Sequence, residues 1–253
     1  MKRAIIRALW GSFYGFDSDI TTPKPSKLLN EIKSQSECEL CKTEVYVFGT
    51  WNCNFLKSLK YNPVQISEKN SIWDMKTELY RHKLEVLKCA MTDYDEIVYL
   101  DWDCIPQKTI TDDIWGILGK KESLQANLQL YKSKKCLWRK VDQRKTCNGG
   151  FIYIRDKNIP DLLIKNWDGF KKFTDEQANK RRERNLELRE REKSLIYNDE
   201  PSLSMYVDSA MGQWNGSEDY WNHYEPEICN LKTKSAYDKD RLSNKNVFFE
   251  HEL

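Results

Sequence analysis

The stretch EIVYLDWDCIP, Glu96 to Pro106, runs through five residues that suit a buried strand and ends in two aspartates one residue apart. A near-continuous apolar run of this length fits a strand covered on both faces, as in a parallel sheet flanked by helices. The sequence around it supports that reading. RAIIRAL is strand-like, with a first strand expected over residues 4–10, and PSKLLNEIKSQ is helix-like. TEVYVFGTW reads as a strand ending at Gly49 and Thr50. SIWDMKTELYRHKLEVLKCAMTDYD has helical spacing, with Tyr80, Leu84, Leu87 and Met91 on one face and Ser71 or Asp74 as the candidate cap. This β-α-β-α-β order predicts an α/β domain with a mostly parallel sheet.

After residue 110 the pattern loosens. DDIWGILG is a short helix or turn, SLQANLQLYKS a strand, and CNGGFIYIRD a turn followed by a strand. IPDLLIKNWDGFKKF reads as a helix leading into a charged helical insertion at about 174–195. NDEPSLSMYVD is a loop entering a helix, and NVFFEHEL starts as a strand.

The Asp-x-Asp pattern occurs four times: Asp17/Asp19, Asp93/Asp95, Asp101/Asp103 and Asp238/Asp240. Parallel sheets bind ligands outside the carboxyl ends of their strands, and only Asp101/Asp103 stands there. Asp93/Asp95 falls in the turn on the opposite edge. In an extended segment, residues i and i+2 share a face, so Asp101 and Asp103 would aim together with Trp102 turned away. Two carboxylates at a crevice suit Mg²⁺ or Mn²⁺, particularly where a diphosphate completes the shell. The alternative is a strand that simply ends in polar turn residues.

The 253 residues allow one domain with a sizeable core, and the net charge of +2 gives no global polyanion signal. Arg7 interrupts the first apolar segment, which argues against a signal peptide, and no stretch reaches the length of a membrane span. A cytoplasmic location is expected. Eight cysteines include one Cys-x-x-Cys pair, Cys38 and Cys41, without a second pair to complete a zinc site.

YDEIVYLDWDCIP, after a helix containing YRHKLEVLK, resembles the donor-site core of GT-A-fold, nucleotide-sugar-dependent glycosyltransferases of the glycogenin-like and lipooligosaccharide-galactosyltransferase-like kind. Further short motifs follow in the same order. ALWG (8–11) resembles the nucleotide-holding end of the first strand. NGGFIYIR (148–155) resembles the turn and strand near the transferred sugar. NDEPSLS (198–204) resembles the acidic loop before a helix. His251 resembles the late histidine of the metal shell, although the family's following Gly-Lys-Pro-Trp is absent here.

The resemblance implies a GT-A, Rossmann-like fold with residues 1–110 as the donor half and 111–253 as the acceptor side. It implies transfer of a sugar from a nucleoside diphosphate sugar, UDP-sugar favoured, with Mn²⁺ or Mg²⁺ held by Asp101, Asp103 and His251. Donor contacts would come from Ala8, Leu9, Trp10 and Gly11, from Lys83, Asp101 and Trp102, and from Asn148, Gly149 and Gly150. Lys83 lies inside the apolar stripe of its helix, where a cation must reach water or find an anion. Asp199 and Glu200 are the candidate catalytic pair, with Asp199 as a helix cap the plainer alternative. Retention or inversion stays open.

KSKKCLWRKVDQRK (132–145) carries seven cations, one anion and Trp138. A basic run with an interleaved aromatic suits a polyanionic acceptor, with Lys134, Lys135, Trp138 and Arg139 as contacts. Two acceptors stay open: double-stranded DNA bearing hydroxymethylcytosine, as modified by some phage glycosyltransferases, and a bacterial surface glycan or lipooligosaccharide. From other classes, a metal-dependent nuclease or a non-catalytic DNA-binding protein would also use acidic pairs or basic patches. Oligomeric state is not legible.

Overall fold

The computed structural model describes residues 1–11, 27–36, 40–73, 78, 80–120, 123–130, 145–183, 229–232 and 249–252. Four adjacent strands of the main sheet are parallel: β1 (Arg3–Leu9), β2 (Glu44–Phe48), β3 (Val64–Ser67) and β4 (Glu96–Leu100). Two antiparallel strands, β7 (Lys145–Ile154) and β6 (Leu124–Leu130), extend the sheet beyond β4. The order is β3-β2-β1-β4-β7-β6. A second sheet holds β5 (Cys104–Pro106), β9 (Phe249–Glu252) and β8 (Cys229–Lys232) in the order β5-β9-β8.

Alternation along the strands divides the core between two faces. Ala4, Ile6 and Ala8 of β1, with Ile97 and Tyr99 of β4, pack under α3 (Arg81–Asp93) and α5 (Ile159–Glu183). Leu84, Leu87, Ala90 and Met91 are buried there, as the helical spacing predicts, with Ile159, Leu163 and Trp167 of α5 beside them. On the other face, Ile5, Val98 and Leu100 meet Ile114, Trp115 and Leu118 of α4 (Asp113–Leu118). Leu9, Val45 and Val47 meet Ile32 of α1 (Lys27–Ser36) and Leu56 of α2 (Thr50–Ser58). Among the described residues, no helix is long and apolar enough to cross a membrane.

Three expectations are corrected. The strand expected to end at Gly49 and Thr50 stops at Phe48, because Gly49 takes φ +98° and turns the chain into α2. A Cβ on Gly49 would run into Asn70 Oδ1 and lie 3.0 Å from the Asn70 Cα. The third helix starts at Arg81 rather than near Ser71; Ser71 instead sits 2.9 Å from the buried His82 Nε2. Asn148, Gly149 and Gly150 lie inside β7, not in a turn. The charged run from residue 174, expected to be helical, continues α5 to Glu183, and its remainder to about residue 195 lies outside the described residues.

Candidate functional site

The chain runs from β1 to β2 and β3 on one side, then crosses back to place β4 on the other side of β1. The carboxyl ends of β1 and β4 therefore flank a topological switch point, where the loops diverge and leave a crevice. Trp10 and Gly11 follow β1 there, and Asp101 follows β4. Asp95 sits at the opposite edge, accepting a hydrogen bond from the Lys2 backbone N–H at 2.9 Å. That bond holds its carboxyl below the usual range. Asp17/Asp19 and Asp238/Asp240 lie outside the described residues.

Asp101 is held from several sides. Its Oδ2 accepts from Lys83 Nζ at 3.1 Å and its Oδ1 from the Tyr99 hydroxyl at 2.6 Å. Tyr99 was not singled out from the sequence, although it stands only two residues before Asp101. Lys83 is 1% exposed, and its ammonium also donates to the Gly149 carbonyl at 3.1 Å. Tyr80 and Tyr99 rings stand 5.6 and 5.2 Å from it. The cation inside the apolar stripe thus reaches an anion rather than water.

The aspartate pair does not sit in extended backbone. β4 ends at Leu100, and the Cys104 N–H donates to the Asp101 carbonyl at 3.0 Å, closing a turn over 101–104. A strand running on through both aspartates would have to leave the sheet, and the turn lets β5 start a second sheet instead. Arg7, a second residue the sequence reading treated only as an interruption, lies under this turn at 1% exposure. Its guanidinium donates to the Asp101 carbonyl, to the Cys104 carbonyl at 2.8 Å and to Gln35 Oε1 at 3.3 Å. It also stacks 5.1 Å from the centre of the Trp102 ring. Trp102 itself points inward, donating from its indole N–H to the Ala8 carbonyl at 2.7 Å and packing with Leu9. Its ring therefore does not join Asp101 and Lys83.

The two glycines of β7 make room for this arrangement. The β6–β7 register pairs Ala126 with Ile152 but Asn127 with Asn148, so Gly149 to Phe151 bulge away from β6. The freed Gly149 carbonyl receives Lys83, and the Gly150 carbonyl accepts from the Asp101 N–H at 2.8 Å and the Cys104 thiol at 3.0 Å. Glycine inside a strand often marks such a close approach.

At the end of β1, Trp10 stacks on His82 with ring centres 5.8 Å apart, and Gly11 takes φ +75°. The Gly11 N–H donates to the Asn70 carbonyl at 2.7 Å, and Asn52 Nδ2 donates to the Gly11 carbonyl at 3.0 Å. His82 is fully buried and accepts from the Ile72 N–H at 3.2 Å. The sequence reading had no signal for His82 except its place next to Lys83.

Pairing of β5 with β9 sets His251 opposite Cys104, one residue from Asp103. Among the described residues, no group of three or more His, Cys, Asp or Glu side chains converges in a way that could hold a metal ion. The turn carries two carboxylates, Asp101 and Asp103, and carboxylate oxygen is the donor type a hard divalent cation takes. Asp199, Glu200, Lys134, Lys135, Trp138 and Arg139 lie outside the described residues.

No family model and no curated protein matches the sequence. Among solved structures, apo mouse xyloside xylosyltransferase 1 aligns at a TM-score of 0.53 and 9% identity, over 100% of this chain and 98% of that one. Glycosyltransferase GlyE of Streptococcus pneumoniae TIGR4 aligns at 0.45 and 15% identity, over 100% of this chain and 55% of that one. Galactosyltransferase LgtC, in complex with donor and acceptor sugar analogues, aligns at 0.44 and 12% identity, over 98% and 86%. The first of these likenesses shows the fold: an α/β, mostly parallel sheet with flanking helices of the GT-A type.

Proposed function

We propose that the chain is a metal-dependent glycosyltransferase that moves a sugar from a nucleoside diphosphate sugar, UDP-sugar favoured, to a polyanionic acceptor. The observation that carries this reading is the Asp101–Lys83 pair at the switch point between β1 and β4. Its carboxylate is 32% exposed at that crevice, where a ligand can reach it.

In this reading Asp101 and Asp103 hold Mn²⁺ or Mg²⁺, with His251 as a further ligand. The cation supplies positive charge against the diphosphate as it leaves. Lys83 and Tyr99 fix the orientation of the Asp101 carboxylate, and the Lys83 ammonium adds a second positive charge beside it. Trp10 and Gly11 border the nucleotide, and the Gly149–Gly150 backbone borders the sugar. An acceptor hydroxyl forms the new bond to the anomeric carbon while the bond to the diphosphate breaks and its electron pair leaves with phosphate. In an inverting reaction Asp199 or Glu200 takes the hydroxyl proton; in a retaining one the departing diphosphate oxygen takes it and this pair binds the acceptor.

For the acceptor, the basic run 132–145 favours DNA carrying hydroxymethylcytosine, and in this reading Trp138 fills the space of a flipped base. The test is a matrix of nucleotide sugars against acceptors with Mn²⁺, read by mass spectrometry and including hydroxymethylcytosine DNA and lipooligosaccharide. Transfer of a hexose or pentose mass to any acceptor supports the enzyme; transfer to the oligosaccharide alone replaces the DNA reading. A protein that neither turns over a donor nor shows a thermal shift with UDP and Mn²⁺ is not this enzyme.

A further inference from the structure

Resting on the proposed donor site, we infer that Arg7 is a positioning residue that sets the Asp101–Cys104 turn for cation binding. The residues that share its face of β1, Ile5 and Leu9, are apolar and buried. Packing alone would be satisfied by a third aliphatic side chain. A buried guanidinium costs free energy unless its donors are met. Here the donors go to the two carbonyls that bracket the turn, those of Asp101 and Cys104. The Asp101 carbonyl is the one that also receives the turn-closing Cys104 N–H.

Two points are thereby held by one rigid group, which fixes both the position and the tilt of the turn. The neighbouring residue of β1 adds a third point, since the Ala8 carbonyl receives the Trp102 indole N–H. The turn that carries both aspartates is thus fastened to β1 at its first, second and last residues. The guanidinium fork is what the geometry uses: a lysine ammonium is a single point on a flexible stem and cannot span the two carbonyls with the same rigidity. Arg7 lies beneath the backbone and acts through Asp101 and Asp103, not on the substrate.

The experiment is Mn²⁺ titration of the folded, full-length protein at saturating UDP, read by the loss of the free Mn²⁺ electron paramagnetic resonance signal. The variants are Arg7→Lys, Arg7→Met and Trp102→Phe, with Leu163→Ala in the distant α5 face as a control for general destabilisation. Arg7→Lys and Arg7→Met should each weaken Mn²⁺ binding at least about tenfold, and Trp102→Phe about threefold, while Leu163→Ala lowers the melting temperature and leaves Mn²⁺ affinity unchanged. Mn²⁺ affinity within twofold of wild type in the folded Arg7 variants overturns the inference. So does an equal weakening in Leu163→Ala. If neither Arg7 variant folds, Trp102→Phe decides, because it keeps a buried aromatic ring and removes the indole N–H that ties the turn to β1. A wild-type protein that binds no Mn²⁺ with UDP refutes the donor-site reading, and this inference falls with it; normal wild-type binding with insensitive variants refutes this inference alone.

Discussion

Asp101→Asn and Lys83→Met break the same ion pair, yet they should not cost the same. The side chain of Lys83 is 2% exposed and that of Asp101 is 32% exposed. Asp101→Asn strands the buried ammonium, and breaking a buried pair in that way costs about 3–5 kcal/mol. The Asn carbonyl still accepts from Nζ, so about 3 kcal/mol is the working figure. Lys83→Met instead leaves a carboxylate that water already reaches and that Tyr99 still supports, and it removes the donor to the Gly149 carbonyl. The loss is then about 1–1.5 kcal/mol, mainly from that buried carbonyl. In a chain of this length these figures correspond to melting-temperature drops of about 6–12 °C and about 2–6 °C. The double variant should resemble Lys83→Met alone, giving a coupling of about 3 kcal/mol in a double-mutant cycle measured by urea unfolding. Equal single costs, or a double variant equal to their sum, would refute the picture of a buried cation held by a half-wet anion.

Gly49→Ala should destabilise by about 2–3 kcal/mol in urea unfolding, since the left-handed backbone and the Asn70 backbone both oppose a Cβ. Leu87→Ala, in the fully buried face of α3, should cost about 2–5 kcal/mol by the same measurement. Chelation with EDTA should abolish the thermal shift that UDP produces with Mn²⁺, and Asp101→Asn should not regain it at any Mn²⁺ concentration up to millimolar; a full UDP shift in EDTA would rule out the cation. Reversing the charge of Lys134, Lys135 and Arg139 should abolish transfer to hydroxymethylated DNA while donor hydrolysis persists, and unchanged transfer would exclude this run as the acceptor contact.

The parts of the fold legible in the sequence are those where burial is one-sided or complete. β1, β2 and β4 stand out as apolar runs, and the α3 stripe gave both the helix and the anomaly of Lys83. What escaped has a physical reason in each case. β3 is an edge strand whose four residues are exposed or half-buried, so it carries no apolar signature. α2 was not read from the sequence, because the positive φ of Gly49 that turns the chain into it has no mark in composition. The glycines at 149 and 150 have turn propensity, and only the packing of Lys83 and Asp101 against their carbonyls explains them inside a strand. Arg7 looked like an interruption because a buried charge met by backbone carbonyls has no partner visible in sequence. The location of the aspartate pair at the switch point followed from strand order; its turn conformation did not.

β9, roughly 150 residues away in sequence, closes on β5 through only three residue pairs, whereas β1 is paired along both edges. The strip beside Asp103 should therefore open more often than the six-stranded sheet, and its amides should exchange with solvent deuterium ahead of those in β1 and β4. A ligand seated on the neighbouring turn slows that opening in proportion to its occupancy. Amide exchange at Cys104 and Ile105 thus becomes a reporter of donor-site occupancy that needs no knowledge of the acceptor.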